Sequence, residues 1–149
     1  MVPVMGRPRV LLGDSSRAVL VFMEILLEPH FQVLGAVTDG EALVQAAKGL
    51  NPDLVIIDFS LSFLDGLGAA RQLHDLMPDI KVVFFTTHHD PSYAKAAFEV
   101  GAAGYLVKQY TGDLKHFLER IMRGQRVLHP KQLSTLTNAA GTDVCPADE

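Results

Sequence analysis

Four polar residues in this chain stand directly after apolar runs. Asp14 follows Val10-Leu11-Leu12-Gly13, Asp58 follows Leu54-Val55-Ile56-Ile57, Thr86 follows Val82-Val83-Phe84-Phe85, and Lys108 follows Tyr105-Leu106-Val107. Continuous apolar runs of this length read as strands buried on both faces. If those strands lie parallel in one sheet, their C-terminal tips bring two carboxylates, a hydroxyl and an ammonium into one small volume. One Asp at a strand end is an ordinary turn or cap residue. A purely structural account does not require both charges and a hydroxyl at matching tips. The set fits phosphoryl acceptance on a carboxylate, with Asp58 as the nucleophile. Two acidic groups suit a magnesium ion, which takes oxygen ligands and offsets the repulsion between a carboxylate and an incoming phosphoryl group. Lys108 would neutralise the remaining oxygen charge, and the Thr86 hydroxyl would donate a hydrogen bond to it.

The elements that must position these residues are legible as alternating short aliphatic runs and longer helical stretches. After the first run, Ser15 or Ser16 caps a helix in which Val19, Phe22, Met23, Leu26 and Leu27 fall at helical spacing, closed by Pro29. Phe31 to Val37 reads as a second strand, and Leu43, Ala46, Ala47 and Leu50 stripe the next helix before Asn51-Pro52. Leu67, Ala70 and Leu73 indicate a third helix, and Asp90-Pro91 opens a fourth, alanine-rich one. Thr111 is read as the cap of a last helix striped by Leu114, Phe117, Leu118, Ile121 and Met122 and ended by Gly124. Five such units in a row predict an α/β fold, a parallel five-stranded sheet with helices on both faces. The expected order is the flavodoxin-like one, a single (βα)5 domain whose crevice lies at the ends of the first and third strands. Residues 9–126 form that domain. Residues 127–149, where the chain turns polar with Ser, Thr, Asn, Asp and Gly and little periodicity, are expected to be a flexible C-terminal tail or a truncated linker.

Bulk properties exclude several classes. At 149 residues the chain has the size of one domain, and 48% hydrophobic with 20% charged residues is a globular composition, neither disordered nor fibrous. The net charge of -4 argues against direct nucleic acid binding, which needs a concentrated basic surface. A single cysteine, Cys145, cannot form an internal disulfide, so a reducing compartment is the default. The longest wholly apolar run, Ala18 to Met23, is far short of the about 20 residues a membrane span needs, and the N-terminus carries no secretory signal pattern. A soluble cytoplasmic protein without membrane contact is expected.

The sequence resembles receiver domains of two-component response regulators, the CheY-like family, over about residues 9 to 126. The resemblance is carried by Arg9-Val10-Leu11-Leu12-Gly13-Asp14, Asp53-Leu54-Val55-Ile56-Ile57-Asp58, Leu64-Asp65-Gly66, Val82-Val83-Phe84-Phe85-Thr86 and Gly101-Ala102-Ala103-Gly104-Tyr105-Leu106-Val107-Lys108. Leu64 through Arg71 and the Gly104-Tyr105-Leu106 segment are most similar to receivers of LuxR-type helix-turn-helix regulators. The resemblance implies Asp58 as phosphoacceptor, Thr86 and Tyr105 as switch residues, Lys108 as the phosphate-binding lysine, and Asp14, Asp58 and Ser60 as the magnesium set. Phosphate on Asp58 would draw in Thr86, and Tyr105 would follow into the space vacated. The implied partner is a sensor histidine kinase or phosphotransfer protein, and a homodimer is compatible with this reading. The implied role is a phosphorelay switch, not an enzyme. Three departures stand out: Ser15 replaces the second of two consecutive acids and is expected to weaken the metal, Ser62 replaces a frequent proline, and Gln109 follows the lysine. The 23 residues after Arg126 are too few for a helix-turn-helix domain, so the chain is expected to be a stand-alone receiver or a piece of a longer protein.

Other readings are weaker. A pseudo-receiver that binds partners without phosphorylation is favoured by Ser15. A haloacid-dehalogenase-like phosphatase needs an acid where Ser60 stands, and a flavodoxin needs a hydroxyl-rich phosphate loop where Asp14 intrudes. His88, His89 and Asp90 are adjacent loop residues without a further ligand at zinc spacing. Asp90 is better read as a helix cap, and His88 as a residue able to influence water access to a phosphoryl group. Asp65 reads as a cap and loop residue. Tyr105 is either a core aromatic or, three residues before Lys108, a switch. Cys145 has no evident role.

Overall fold

The computed structural model describes residues 6–110, 112–133 and 145–146. Its elements run β1 (Arg9–Gly13), α1 (Arg17–Leu27), β2 (Gln32–Val37), α2 (Gly40–Leu50), β3 (Leu54–Ile57), α3 (Gly66–Leu76), β4 (Lys81–Thr86), α4 (Pro91–Glu99), β5 (Gly104–Val107), α5 (Leu114–Met122), β6 (Val127–His129) and β7 (Cys145–Pro146). Short 3-10 turns occupy Lys108–Tyr110 and Lys131–Leu133. Every strand pair is parallel, in the order β2-β1-β3-β4-β5-β6-β7. The flavodoxin-like β2-β1-β3-β4-β5 arrangement is therefore present.

Strand periodicity of two divides the core into two layers. On one face Leu11, Val55, Ile57, Phe84, Tyr105 and Val107 pack with Leu43, Val44 and Ala47 of α2, Ala69, Ala70 and Leu73 of α3, and Ala94, Ala97 and Phe98 of α4. On the other, Val10, Leu12, Leu54, Ile56, Val83, Phe85 and Leu106 pack with Leu20, Met23 and Leu27 of α1 and Leu114, Phe117, Leu118 and Ile121 of α5. Both neighbours of each central residue are thus apolar and buried, which explains the unbroken aliphatic runs. Each helix starts on a side chain that accepts a backbone N–H: Ser16 from Val19, Asp39 from Ala42, Asp65 from Gly68, Asp90 from Ser92 and Asp113 from His116.

Three expectations need correction. The cap of α5 is Asp113, whose carboxylate receives the His116 N–H at 3.2 Å, while Thr111 lies outside the described residues. The expected stripe of α1 is only half buried. The helix turns Leu20, Met23 and Leu27 inward and leaves Val21, Phe22, Ile25 and Leu26 exposed, because it carries more apolar residues than one face can cover. The sheet does not end at β5, nor does ordered structure end at Arg126. Val127–His129 pairs with Gly104–Leu106, all three residues are buried, and Leu133 packs into the layer that holds Tyr105. The physical reason is that β5 would otherwise be an open edge with unpaired backbone groups. A three-residue strand in a polar neighbourhood is too short to show periodicity. Residues 134–144 and 147–149 lie outside the described residues.

Candidate functional site

The C-terminal ends of β1, β3, β4 and β5 converge because parallel strands in register end on the same side. Gly13 pairs with Ile57 and Thr86 with Val107, so the next residues along β1, β3 and β5 are Asp14, Asp58 and Lys108. The Asp58 N–H donates to the Gly13 carbonyl at 3.0 Å and the Asp14 N–H to the Val37 carbonyl at 3.1 Å, which fixes both carboxylates at the sheet rim. Both are nearly inaccessible, Asp14 at 2% and Asp58 at 7%. Lys108 reaches between them, with Nζ at 2.7 Å from Asp14 Oδ2 and 3.0 Å from Asp58 Oδ2. Its ammonium also lies 5.8 Å from the centre of the Phe85 ring.

The remaining oxygens differ in a way that bears on chemistry. Asp14 Oδ1 accepts the Ser16 N–H at 2.9 Å, so both Asp14 oxygens have donors. Asp58 Oδ1 is buried without a hydrogen-bond partner among the described residues. Buried polar atoms are nearly always satisfied, and an exception at a strand tip marks a place for a ligand. Two carboxylates with one oxygen unsatisfied fit a hard divalent cation such as magnesium, and the same oxygen fits a nucleophile. Ser60 and Ser15 are exposed residues of the loops flanking this crevice. Among the described residues, no group of three or more His, Cys, Asp or Glu side chains gathers, at His88, His89 and Asp90 or elsewhere. Asp90 caps α4: the Ser92 N–H and hydroxyl both donate to it at 2.9 Å and hold its carboxyl below the usual range.

Thr86 is fully buried, and its Oγ1 accepts the His88 N–H at 3.3 Å. Tyr105 is also fully buried, and its hydroxyl donates to the His88 carbonyl at 2.7 Å. The ring therefore stands inward, in the position the switch expectation assigns to it after phosphorylation. Burial, with the Asp58 charge adding to it, raises the phenol far above its ordinary value.

The loop from Asp58 to Asp65 is held by two close approaches. The Gly66 N–H donates to the Phe59 carbonyl at 2.9 Å, and a Cβ on Gly66 would lie 2.1 Å from the Asp58 carbonyl oxygen. At the loop's other side Gly40 donates to the Ser62 carbonyl at 3.0 Å, and a Cβ there would lie 1.7 Å from the Leu64 carbonyl oxygen. Between them Phe63 has φ 65°, left-handed backbone that a bulky side chain rarely adopts, and its ring is 87% exposed. Phe63→Gly relieves about 1–2 kcal/mol of αL strain. It adds unfolded-chain entropy worth about 0.5–1 kcal/mol. The expected outcome is a neutral to slightly raised denaturation midpoint in urea.

Ser16, Gly40 and Phe59 are site residues that sequence reasoning passed over or used only in part. A cap at Ser15 or Ser16 was visible, but not that it is Ser16 or that the Ser16 N–H would serve Asp14. Phe59 follows the acceptor and meets Phe84, His88, Tyr93 and Tyr105. An aromatic beside a buried acid was the available signal.

Residues 10–121 match the family model described as the response regulator receiver domain. The chain belongs to that family. Among curated relatives, this receiver is 33% identical over 108 residues to the transcriptional regulatory protein DegU of Brevibacillus brevis, covering 72% of the chain and 46% of DegU. It is also 33% identical over 101 residues to the response regulator GacA of Pseudomonas aeruginosa, covering 67% and 47%. The chain thus spans about half the length of these relatives. In structure it resembles a LuxR-family response regulator from Aurantimonas sp. SI85-9A1, with TM-score 0.82, 24% identity and coverage of 93% of this chain and 100% of that one. The receiver domain of the putative response regulator NarL from Mycobacterium tuberculosis matches with TM-score 0.70 and 26% identity, over 80% and 98%. The described residues contain no helix long and apolar enough to cross a membrane.

Proposed function

We propose that this receiver accepts a phosphoryl group on Asp58 from a phosphorylated histidine of a sensor kinase or phosphotransfer protein. The observation that carries the reading is the Asp58 carboxylate itself, with one oxygen on Lys108 and the other buried and unsatisfied. In the reaction Asp58 Oδ1 forms a bond to phosphorus as the donor's N–P bond breaks, and the imidazole nitrogen keeps the electron pair and takes a proton. Lys108 balances the charge on the phosphoryl oxygens, and the Thr86 hydroxyl, whose lone pair already takes the His88 N–H, turns its proton toward them. Asp14, Asp58 and Ser60 are the residues that would hold magnesium, which supplies charge neutralisation when bound.

A donor must seat on the crevice rim to deliver the group. Phe22 and Leu26 of α1 line, with Phe85 and Lys108, a groove of about 400 Å³ that opens beside the acceptor. This groove joins the exposed apolar face of α1, and together they give a helical partner an apolar surface leading to Lys108.

The direct test is incubation with acetyl phosphate and magnesium, followed by intact-mass measurement. One added phosphoryl group, lost at alkaline pH as an acyl phosphate is, supports the reading. No uptake favours the second reading, a partner-binding receiver that works without phosphorylation, toward which Ser15 points.

Two further outcomes follow from the geometry. Ser15→Asp adds a charge beside Asp14 and tightens magnesium by roughly tenfold, since hard-cation affinity rises with ligand charge. Because the chain has no tryptophan, calorimetry is the suitable measurement. Unchanged affinity would remove Ser15 from the metal's surroundings. Lys108→Ala leaves two buried carboxylates without their cation and costs about 3 kcal/mol of stability in metal-free buffer. Magnesium restores part of it by mass action, which urea unfolding with and without the ion would read.

A further inference from the structure

Phe63, 87% exposed, is the most exposed of the large apolar side chains described. It stands near the tip of a loop that leaves Asp58 and returns to it, since Gly66 closes on the Phe59 carbonyl against the Asp58 backbone. Its φ of 65° is left-handed backbone, which glycine takes without cost and a bulky residue does not. The fold gains nothing from a phenyl ring there, and a backbone outlier beside a reactive group points to function. A hole for such a ring lies on the same rim. Val19, Phe22 and Leu26 of α1, with Phe85, Lys108 and Leu114, line the groove of about 400 Å³. Knob and hole lie on opposite sides of the crevice within one chain. Leu61 and Leu64, which flank Phe63, pack on the sheet face covered by α2, α3 and α4, whereas Val19, Phe85 and Leu114 belong to the face covered by α1 and α5. Asp58, at the tip of β3, stands between them.

We propose that a second copy of this chain docks rim to rim, each Phe63 entering the groove of the other, and that the pair shields both Asp58 carboxylates. The contact is reciprocal. A two-fold axis lying in the plane of the rim and along the crevice exchanges its two sides, so the knob of each copy meets the groove of the other and the assembly closes at two. A ring that leaves water for a groove walled by Phe22 and Phe85 gains apolar burial and aromatic contacts. Charge favours the same orientation. The segments that hold the tip, residues 38–42 and 59–68, carry Asp39, Glu41 and Asp65 and no cation, and the axis sets them opposite Arg17, exposed at the start of α1. Such rim charges fix orientation more than they add affinity. Two aromatic anchors on a small rim suit a transient dimer rather than an obligate one. The shielding rests on the phosphoacceptor reading, and the groove is the one assigned above to a phosphoryl donor. Self-docking and donor docking therefore exclude one another.

The test is sedimentation velocity on the full chain from micromolar to millimolar concentration. The wild type should pass from monomer to dimer as concentration rises. Phe63→Gly should weaken the dimer by roughly tenfold or more, as loss of an aromatic anchor does. Leu26→Asp, a charge in the groove wall at a position already 40% exposed, should do the same. An equimolar mixture of the two variants keeps one intact knob and one intact groove, so its heterodimer should be tighter than the dimer of either variant alone. A wild type that stays monomeric at millimolar concentration would overturn the proposal. So would a dimer that Phe63→Gly leaves unchanged, which would assign the pairing to the exposed face of α1. Acetyl phosphate uptake reads the shielding: per chain it should fall as the wild-type concentration rises and stay level in Phe63→Gly. Uptake that stays level across the range in which the wild type dimerises would overturn the shielding. No uptake at any concentration, beside a dimer that depends on Phe63, supports the docking and overturns the phosphoacceptor reading instead.

Discussion

Asp58→Asn is expected to take up no acid-labile phosphate from acetyl phosphate or a kinase, while folding as the wild type does. The amide keeps the shape of the carboxylate but lacks the anionic oxygen that must bond to phosphorus. The effect on phosphorylation is complete rather than partial because no other described carboxylate combines burial, a lysine at hydrogen-bond distance and an unsatisfied oxygen. Asp14 has the burial and the lysine, but the Ser16 N–H and Lys108 already occupy its two oxygens. Stability changes little, since the exchange trades the attraction of Lys108 for relief of repulsion between two acids. Intact-mass measurement reads the phosphate and urea unfolding reads the fold. Uptake at the wild-type level in the variant would reassign the acceptor.

Gly66→Ala is expected to be the most damaging conservative change at the site. The added methyl would stand 2.1 Å from the Asp58 carbonyl oxygen and 2.8 Å from the Phe59 Cα, both backbone atoms that no rotamer change can move. Overpacking against a well-ordered core costs about 1–3 kcal/mol, and a main-chain clash belongs at the upper end. The function should suffer more than the fold. Relief requires Asp58 or the first turn of α3 to shift, and a displacement of about 1 Å at a reacting group can cost on the order of 10²-fold in rate. Slower acetyl phosphate uptake with most of the folded state retained is the expected pair of readings. By contrast Gly68→Ala meets side-chain atoms alone, the end of Leu64 at 2.7 Å, which can rotate away, and the Asp65 carboxylate at 3.2 Å, and serves as the matched control.

Much of the site was legible because its members announce themselves locally. An apolar run followed by one polar residue marks a strand and its tip, and parallel strands in register place their tips together. That argument identified Asp14, Asp58, Thr86 and Lys108, which the structure gathers at one end of the sheet. The cap assignments at Asp90 and at the Ser15–Ser16 pair, which the structure resolves to Ser16, were equally local, depending on residues two or three positions away. The reading failed where a local signal was outvoted. Thr111 and Asp113 are both competent caps, and only the start of α5 decides between them. Phe22 and Leu26 belong to a plausible apolar stripe, yet Leu20, Met23 and Leu27 take the buried positions because one face of α1 suffices to cover its side of the sheet.

By itself the sequence determined the alternation of strands and helices, the two-faced burial of the central strands and the chemical types waiting at their tips. These follow from side-chain period and from turn and cap preferences, which act over a few residues. Tertiary structure alone decided the rest: that Ser16 serves Asp14, that Val127–His129 closes the edge of β5, that Gly66 must stay bare beneath Asp58, and that the Tyr105 hydroxyl reaches the His88 carbonyl. Each of these depends on atoms whose approach is set by how strands and helices pack, not by the pattern of the residues beside them. Lys108 and Asp14 lie 94 positions apart in the chain yet share a hydrogen bond of 2.7 Å, a distance no local preference encodes.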